Sequence, residues 1–139
     1  SRLDELQAAI LRVLLPELDR WSEGRRSAGR AYLQAGLGEH VGLPAVPEGA
    51  DPAWHLFVVT HDRADELLAA LSEAGVQARG YYRTPVHRQP AMAPYLAGAL
   101  ELPVTDELAR TNLALPMSPV LGLDQARQVA AVIAAALGS

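Results

Sequence analysis

The order of predicted elements in residues 54–82 limits the fold more than any other feature of this chain. Residues 54–60, WHLFVVT, form a short apolar run of aromatic and β-branched side chains, which predicts a buried strand. Residues 76–82 predict a second strand, and leucines at helical spacing lie between the two. This β-α-β-like order predicts an α/β (α+β) domain in which a small sheet packs against helices.

The helix between the two strands has a predicted start and end. Asp62 is expected to cap its first turn, and Gly75 is expected to end it, because these residue types favour those positions. The side chains expected to face the core are Leu67, Leu68 and Leu71.

Helices are also predicted before this unit. Apolar residues recur at spacings of three and four in Leu3, Leu6, Ile10 and Val13. Pro16 is expected to end or kink that helix, and a second apolar stripe continues to Gly36. We therefore divide the chain into a long helical opening segment, residues 1–36, and a small C-terminal α/β domain, residues 37–139.

Shorter elements are predicted after the unit. Residues 84–102 form a long loop rich in proline and glycine, and long ordered loops tend to be functional. Thr105 can cap a short helix that runs through Arg110, and residues 113–115 predict a short strand. Asp124 begins a last helix whose apolar face holds Ala126, Val129, Ala130, Ile133 and Leu137. That face and the stripe of the first helix exceed what one small sheet should cover, which predicts exposed apolar surface.

Composition restricts the class of protein. The 139 residues suggest one domain, and an apolar fraction of 50% allows a sizeable core. A net charge of −4 argues against nucleic-acid binding, and no apolar run is long enough for a membrane span. The chain lacks cysteine and has no predicted signal peptide, so the cytoplasm is the expected compartment. Its first residue is not methionine, which suggests a fragment of a longer protein.

The chain has no lysine, because all 12 basic residues are arginine. A lysine amine is needed to form a Schiff base with a carbonyl substrate or with pyridoxal phosphate, and it is the usual point charge of a P-loop. This chain alone is therefore expected to perform neither chemistry.

Other site chemistries have weak support. The spacing of the four histidines matches no known metal-ligand pattern, so no metal site is predicted. Pairs of carboxylates such as Asp106-Glu107 lie near helix starts, where the helix dipole explains them. No Gly-x-Ser-x-Gly motif supports a serine nucleophile.

Residues 81–90, YYRTPVHRQP, are the strongest candidate for a ligand-binding loop. They follow a predicted strand directly and combine aromatic, arginine and histidine side chains on a loop stiffened by proline. Arginine suits phosphate groups and aromatic rings suit flat ligands. The alternative is a surface loop whose arginines are merely solvated.

Six segments together resemble one family. In chain order they are SRLDELQAAIL, LDRW, WHLFVV, YYRTPVHRQPA, LPVTDELA and LALPMSPVL. Each is weak alone, but their order resembles the C-terminal part of the DegT/DnrJ/StrS family of pyridoxal-phosphate-dependent sugar aminotransferases. The resemblance extends from Arg2 to about Ile133.

The resemblance implies the small C-terminal domain of the type I aminotransferase fold. A large N-terminal domain would carry pyridoxal 5'-phosphate and its lysine, in an enzyme expected to be a homodimer. The implied reaction transfers an amino group from glutamate or glutamine to a keto sugar linked to a nucleotide diphosphate. The family's Ser-His-Lys segment has no match in this chain.

The resemblance also implies site residues. His87 matches the histidine of a Pro-x-His element near the sugar-nucleotide site, and Tyr82 and Gln89 match its neighbours, as does Pro85. Arg83 and Arg88 are further candidates for substrate binding. Arg2 and Gln7 match the motif that opens the long helix, where a role near the dimer contact is equally compatible.

Two alternatives stay open. The chain is compatible with a stand-alone ligand-sensing β-α-β module, or with a relative that keeps the fold but has lost catalysis and acts as a partner subunit. A Ser-His-Lys segment upstream in the same gene would favour the aminotransferase over both alternatives. The sequence does not specify the sugar, the nucleotide or the aminated carbon.

Overall fold

Two helices open the part of the chain that the computed structural model describes, residues 4–96 and 100–138. Helix α1 spans Glu5–Leu14, and the backbone N–H of Leu6 donates to Asp4 Oδ1 at 2.7 Å, which caps the helix. A 3₁₀ turn, Leu15–Glu17, follows at the predicted proline, and helix α2 spans Leu18–Gln34. Helices thus occupy most of the predicted opening segment within the described residues, whereas Arg2 and Leu3 lie outside them.

A two-stranded antiparallel sheet forms the centre of the fold. Strand β1 spans Phe57–Thr60 and strand β2 spans Asn112–Leu115, with Phe57 opposite Leu115. Both strands were predicted. The predicted second strand of the β-α-β-like unit, residues 76–82, is wrong as a strand, because only Arg79 pairs there, in an isolated bridge to Ala114.

The backbone explains why residues 76–82 do not extend the sheet. Tyr82 has a φ of 53°, a left-handed conformation that turns the chain away from the direction of a strand. Beyond Arg79, the backbone of Tyr81 forms its hydrogen bonds with the side chain of Asn112. It does not pair with the backbone of a neighbouring strand. The β-α-β course is retained, but its last strand is reduced to a single bridge.

Three further helices complete the fold. They are α3, Ala64–Glu73, α4, Pro103–Thr111, and α5, Leu123–Leu137. Gly75 follows α3 with a φ of 74°, as predicted for a helix end. The predicted caps are wrong: Arg63 precedes α3, and Asp62 instead accepts a hydrogen bond from Arg110 at 2.9 Å. Helix α4 begins at Pro103, before Thr105, because the fixed φ of proline suits the first turn.

The hydrophobic core lies between the sheet and helices α2, α3 and α5. Its fully buried side chains come from all of these elements and include Tyr32, Phe57, Leu67, Leu113 and Ile133. The Tyr32 hydroxyl donates to the carbonyl of Pro116 at 2.6 Å, which ties α2 to the segment after β2. These contacts confirm a small sheet packed with helices. The division at residue 36 stays a prediction, although α2 contributes directly to this core.

Helix α1 contributes nothing to the core. It has no buried residue, and Leu6 and Val13 are 71% and 73% exposed. The expectation of excess apolar surface on α5 is wrong, because Ala126, Val129 and Ile133 are buried in the core. None of the helices within residues 4–96 and 100–138 combines the length and apolarity needed to cross a membrane.

The exposed apolar side chains of α1 predict association of this chain in solution. Leu11, Leu14 and Leu18 line a shallow apolar groove with Trp21, and water contact with such surface is unfavourable. We expect light scattering to show an average mass that rises with concentration. Replacement of Leu11 and Leu14 by glutamine should reduce this increase in mass. The prediction would be contradicted if the unaltered chain stayed monomeric at millimolar concentration.

Candidate functional site

The predicted ligand-binding loop borders a groove on the face of the sheet opposite the core. Phe57 and Val59 face the core, so Val58 faces the other side, where it lines the groove with Leu56. The loop forms a second wall and α4 the third, through Leu108. The groove has a volume of about 750 Å³ and its walls are largely apolar. We call it the loop groove.

Two tyrosines stand at the start of the loop. Tyr81 and Tyr82 both line the loop groove, and their ring centroids are 6.1 Å apart. Tyr82 is 84% exposed and has a left-handed φ of 53°. A bulky residue in this conformation is strained, and such strain is concentrated at functional sites. The loop therefore presents an aromatic ring to solvent at the groove.

The His87 side chain is buried in the loop groove. It lies in a 3₁₀ turn, Val86–Arg88, and is 7% exposed. Its Nε2 atom is 3.3 Å from Oδ1 of Asp106, a close contact without the geometry of a hydrogen bond. Among the described residues, Nε2 has no hydrogen-bond partner of acceptable geometry. A buried polar atom without a hydrogen-bond partner is uncommon in folded proteins, which marks His87 as a candidate site residue.

Arg88 binds Asp106, the carboxylate that also lies beside the His87 nitrogen. Its Nε and Nη2 atoms donate to the two carboxylate oxygens of Asp106 at 3.1 and 2.7 Å. The hydrogen bond from Arg88 and the nearby positive charge lower the pKa of Asp106 below its usual value. The Arg88 guanidinium is therefore occupied within the chain, although about half of its side chain is exposed.

Arg83 turns back toward the end of α4. Its Nη1 atom donates to the carbonyl of Ala109 at 3.1 Å and also to that of Arg110, so the side chain caps the helix C-terminus. Its Nη2 atom is 3.0 Å from Oδ1 of Asp65. A Cβ on Gly80 would collide with the Arg83 guanidinium, so a larger residue there would displace this side chain from its present path.

Asn112 is the polar residue that holds the start of the loop. Its Oδ1 accepts from the backbone N–H of Tyr81 at 2.8 Å, and its Nδ2 donates to the Tyr81 carbonyl at 3.0 Å. Nδ2 also donates to the Leu108 carbonyl of α4 at 2.6 Å. The residue is 8% exposed. One side-chain amide thus joins β2, α4 and the loop.

The structure brings some of the predicted site residues together and separates others. Tyr82 and His87 line the loop groove with Pro85, whereas the Arg83 and Arg88 guanidiniums bind within the chain. Gln89 is exposed beside the groove, and Gln7 is exposed on α1.

Asp106 was not predicted as a partner of the loop, and Asn112 was not predicted to hold it. The only signal for Asp106 was its place in the first turn of a helix, which suggested a helix-dipole role. In the part of the chain that the structure describes, no cluster of three or more His, Asp or Glu side chains suits a metal ion.

Comparisons with known proteins agree on one family across the chain. The model of the DegT/DnrJ/EryC1/StrS aminotransferase family matches residues 1–134. The chain is similar to the dTDP-3-amino-3,4,6-trideoxy-alpha-D-glucose transaminase of Streptomyces venezuelae, with 44% identity over 93% of this chain and 34% of that protein. It is also 42% identical to the erythromycin biosynthesis sensory transduction protein EryC1 of Saccharopolyspora erythraea, over 97% of this chain and 37% of that protein.

A solved structure gives the same result for the fold. A DegT DnrJ EryC1 StrS aminotransferase from Brucella abortus superposes on this chain with a TM-score of 0.89 at 33% sequence identity. The superposition covers 99% of this chain and 37% of that structure. The chain thus spans about a third of the length of the proteins it matches.

Proposed function

Because this chain belongs to the DegT/DnrJ/EryC1/StrS aminotransferase family, we propose that it is the C-terminal part of a pyridoxal-phosphate-dependent sugar aminotransferase. The complete enzyme transfers an amino group from glutamate or glutamine to a nucleotide-linked keto sugar. The observation that carries the proposal is 44% identity over 93% of the chain with a transaminase named for a dTDP-linked amino sugar. The complete enzyme is a cytoplasmic homodimer.

The residues of this chain do not fit covalent attachment of the cofactor. The chain has no lysine, and pyridoxal phosphate is held in aminotransferases through a lysine amine. The cofactor and the proton transfers that depend on that amine therefore belong to the large N-terminal domain. This chain contributes substrate binding, through the loop that borders the loop groove.

Two loop side chains are suited to contact the substrate. The buried Nε2 of His87 can form a hydrogen bond with a sugar hydroxyl or a phosphate oxygen, and the apolar surroundings strengthen that bond. The exposed ring of Tyr82 can pack against a flat or apolar ligand face. The Arg83 and Arg88 guanidiniums are assigned to holding the loop, because both bind within the chain. Gln89 is exposed and completes the candidate set.

Borohydride reduction tests this proposal directly. We expect the complete polypeptide to form a reducible, stoichiometric adduct with pyridoxal phosphate and to transfer the amino group of glutamate to a dTDP-linked keto sugar. The 139-residue chain alone should form no such adduct, because it has no lysine amine. Mass spectrometry after reduction measures both species. A stoichiometric adduct within this chain, or a complete polypeptide that binds cofactor but never turns over keto sugars, would contradict the proposal.

The second candidate is a regulatory or catalytically inactive protein. The one observation in its favour is that the relative from Saccharopolyspora erythraea is named for sensory transduction. A complete polypeptide without a lysine at the cofactor site would favour this candidate, since it would keep the fold and bind ligands without catalysis. The same reduction experiment therefore separates the two candidates.

A further inference from the structure

Helix α4 contacts the candidate substrate loop at both of the helix ends. Its first turn carries Asp106, which binds Arg88 and contacts His87. Its last carbonyls accept hydrogen bonds from Arg83 and Asn112, and Asn112 binds the backbone of Tyr81. The loop between Tyr81 and Arg88 is thus attached to one rigid element at two separate points.

The attachment at the first turn of α4 holds the imidazole of His87. Oδ1 of Asp106 lies 3.3 Å from His87 Nε2 and also accepts from Arg88 Nε at 3.1 Å. Oδ2 accepts from Arg88 Nη2 at 2.7 Å, so both carboxylate oxygens are directed by the guanidinium. A carboxylate fixed in this way presents one oxygen at a constant position beside the imidazole. The contact restricts where the imidazole can lie, although it lacks the geometry of a hydrogen bond.

The attachment at the end of α4 holds the backbone at Tyr81 and Tyr82. Asn112 forms two hydrogen bonds to the backbone of Tyr81, at 2.8 and 3.0 Å, in the manner of a paired strand residue. The next residue, Tyr82, has the strained left-handed φ of 53°. Strain of this kind persists only where the surrounding contacts hold the backbone. Asn112 on one side and Arg83 on the other supply those contacts.

We propose that Asp106 and Asn112 are positioning residues for substrate binding: through α4 they hold His87 and Tyr82 at fixed places on the loop groove. This inference rests on the proposed function, because it assigns the loop to the sugar-nucleotide substrate. Asp106 does not line the loop groove, whereas Asn112 lies in its wall. Asp106 acts through His87 and Arg88, and Asn112 acts through the backbone of Tyr81.

The test compares Asp106→Asn with Asp124→Asn in the complete polypeptide. Both aspartates lie in the first turn of a helix and bind an arginine, but Asp124 belongs to α5 and pairs with Arg127 on the surface. The two variants therefore lose a similar helix-dipole interaction, and only Asp106→Asn affects the loop. Hydrogen–deuterium exchange of residues 81–96 without substrate reports on the loop independently of activity. Steady-state kinetics report separately on the keto sugar and on the amino donor.

We expect Asp106→Asn to speed exchange in the loop and to lower kcat/KM for the keto sugar by roughly tenfold, because small misplacements of binding groups are costly. Cofactor loading and the half-reaction with the amino donor should stay unchanged, which a general loss of stability would not produce. Asp106→Glu, which keeps the charge, should recover part of the loss. Asp124→Asn should alter neither measurement.

A second variant tests the other attachment. Asn112→Asp keeps the acceptor for the Tyr81 N–H but places a carboxylate oxygen against the carbonyls of Tyr81 and Leu108. We expect faster exchange at residues 81–83 and a higher KM for the keto sugar.

Unchanged loop exchange in Asp106→Asn overturns the inference even if the enzyme is an aminotransferase. Faster exchange with an unchanged kcat/KM shows that the loop does not serve the substrate and overturns it equally. Absence of turnover in the unaltered enzyme rejects the proposed function instead.

Discussion

Replacement of His87 by alanine in the complete enzyme is expected to lower kcat/KM for the keto sugar by about 10- to 100-fold, the usual effect of a lost contact to a polar substrate group. Cofactor loading should stay intact, because this chain has no lysine amine that could hold the cofactor. The reason for the expected loss is the buried Nε2 atom, which has no well-oriented hydrogen-bond partner among the residues described. A substrate oxygen would satisfy it.

The matched variant is His87→Asn, which separates two roles of this histidine. If His87 only supports the loop, asparagine can keep one bond, so most activity should return and the main loss should be in melting temperature. If His87 binds substrate, asparagine should restore little. Steady-state kinetics and thermal unfolding of both variants measure the difference. A nearly normal kcat/KM for His87→Ala at unchanged stability would contradict both roles. It would indicate that the loop is an ordinary solvated surface loop.

Replacement of Leu113 by alanine is expected to reduce the free energy of unfolding by about 2–5 kcal/mol, the range measured for buried leucines. Leu113 lies on β2, is 0% exposed and belongs to the core that joins the sheet to the helices. Alanine would leave a cavity at the centre of a two-stranded sheet. Urea unfolding of the chain, followed by circular dichroism, measures the change.

The control for this prediction is Leu33→Ala on α2. Leu33 is 56% exposed, and alanine is the better helix former, so the free energy of unfolding should change by less than about 1 kcal/mol. Equal losses of unfolding free energy in the two variants would show that Leu113 stabilises the chain no more than a residue on the helix surface does. The pair therefore tests the assignment of the core and not merely the effect of a smaller side chain.

Local patterns predicted most of the elements and none of the long-range contacts of the site. The apolar run of β1, the last helix and the glycine that ends α3 depend on neighbouring residues, so they were recognised from the sequence. Residues 76–82 have the same strand-like composition, but their pairing depends on Asn112, which is 31 residues from Tyr81. Periodicity in the sequence contains no information about such a partner.

The same limit applies to the charged residues of the candidate site. Arg83 and Arg88 were predicted to face a ligand because arginine suits phosphate. Their observed partners lie on α4, and Arg88 is 18 residues from Asp106. Residue type alone therefore singled out a loop that borders a groove, and the role of that loop in ligand binding stays a prediction. Residue type did not distinguish a side chain that lines the groove from one that anchors the loop.

The bond between Tyr32 and Pro116 joins residues 84 positions apart, and it has a consequence for how the molecule acquires its structure. Helix α2 packs on α5, which lies much later in the chain, and both helices contribute buried side chains to the core that contains Tyr32. Closing a loop of this length costs entropy that is recovered only after both helices are present. We therefore expect α2 and α3, which both pack on α5, to lack stable tertiary packing on the ribosome until α5 has been synthesised. Premature termination before Leu123 should yield a polypeptide that chaperones and proteases recognise.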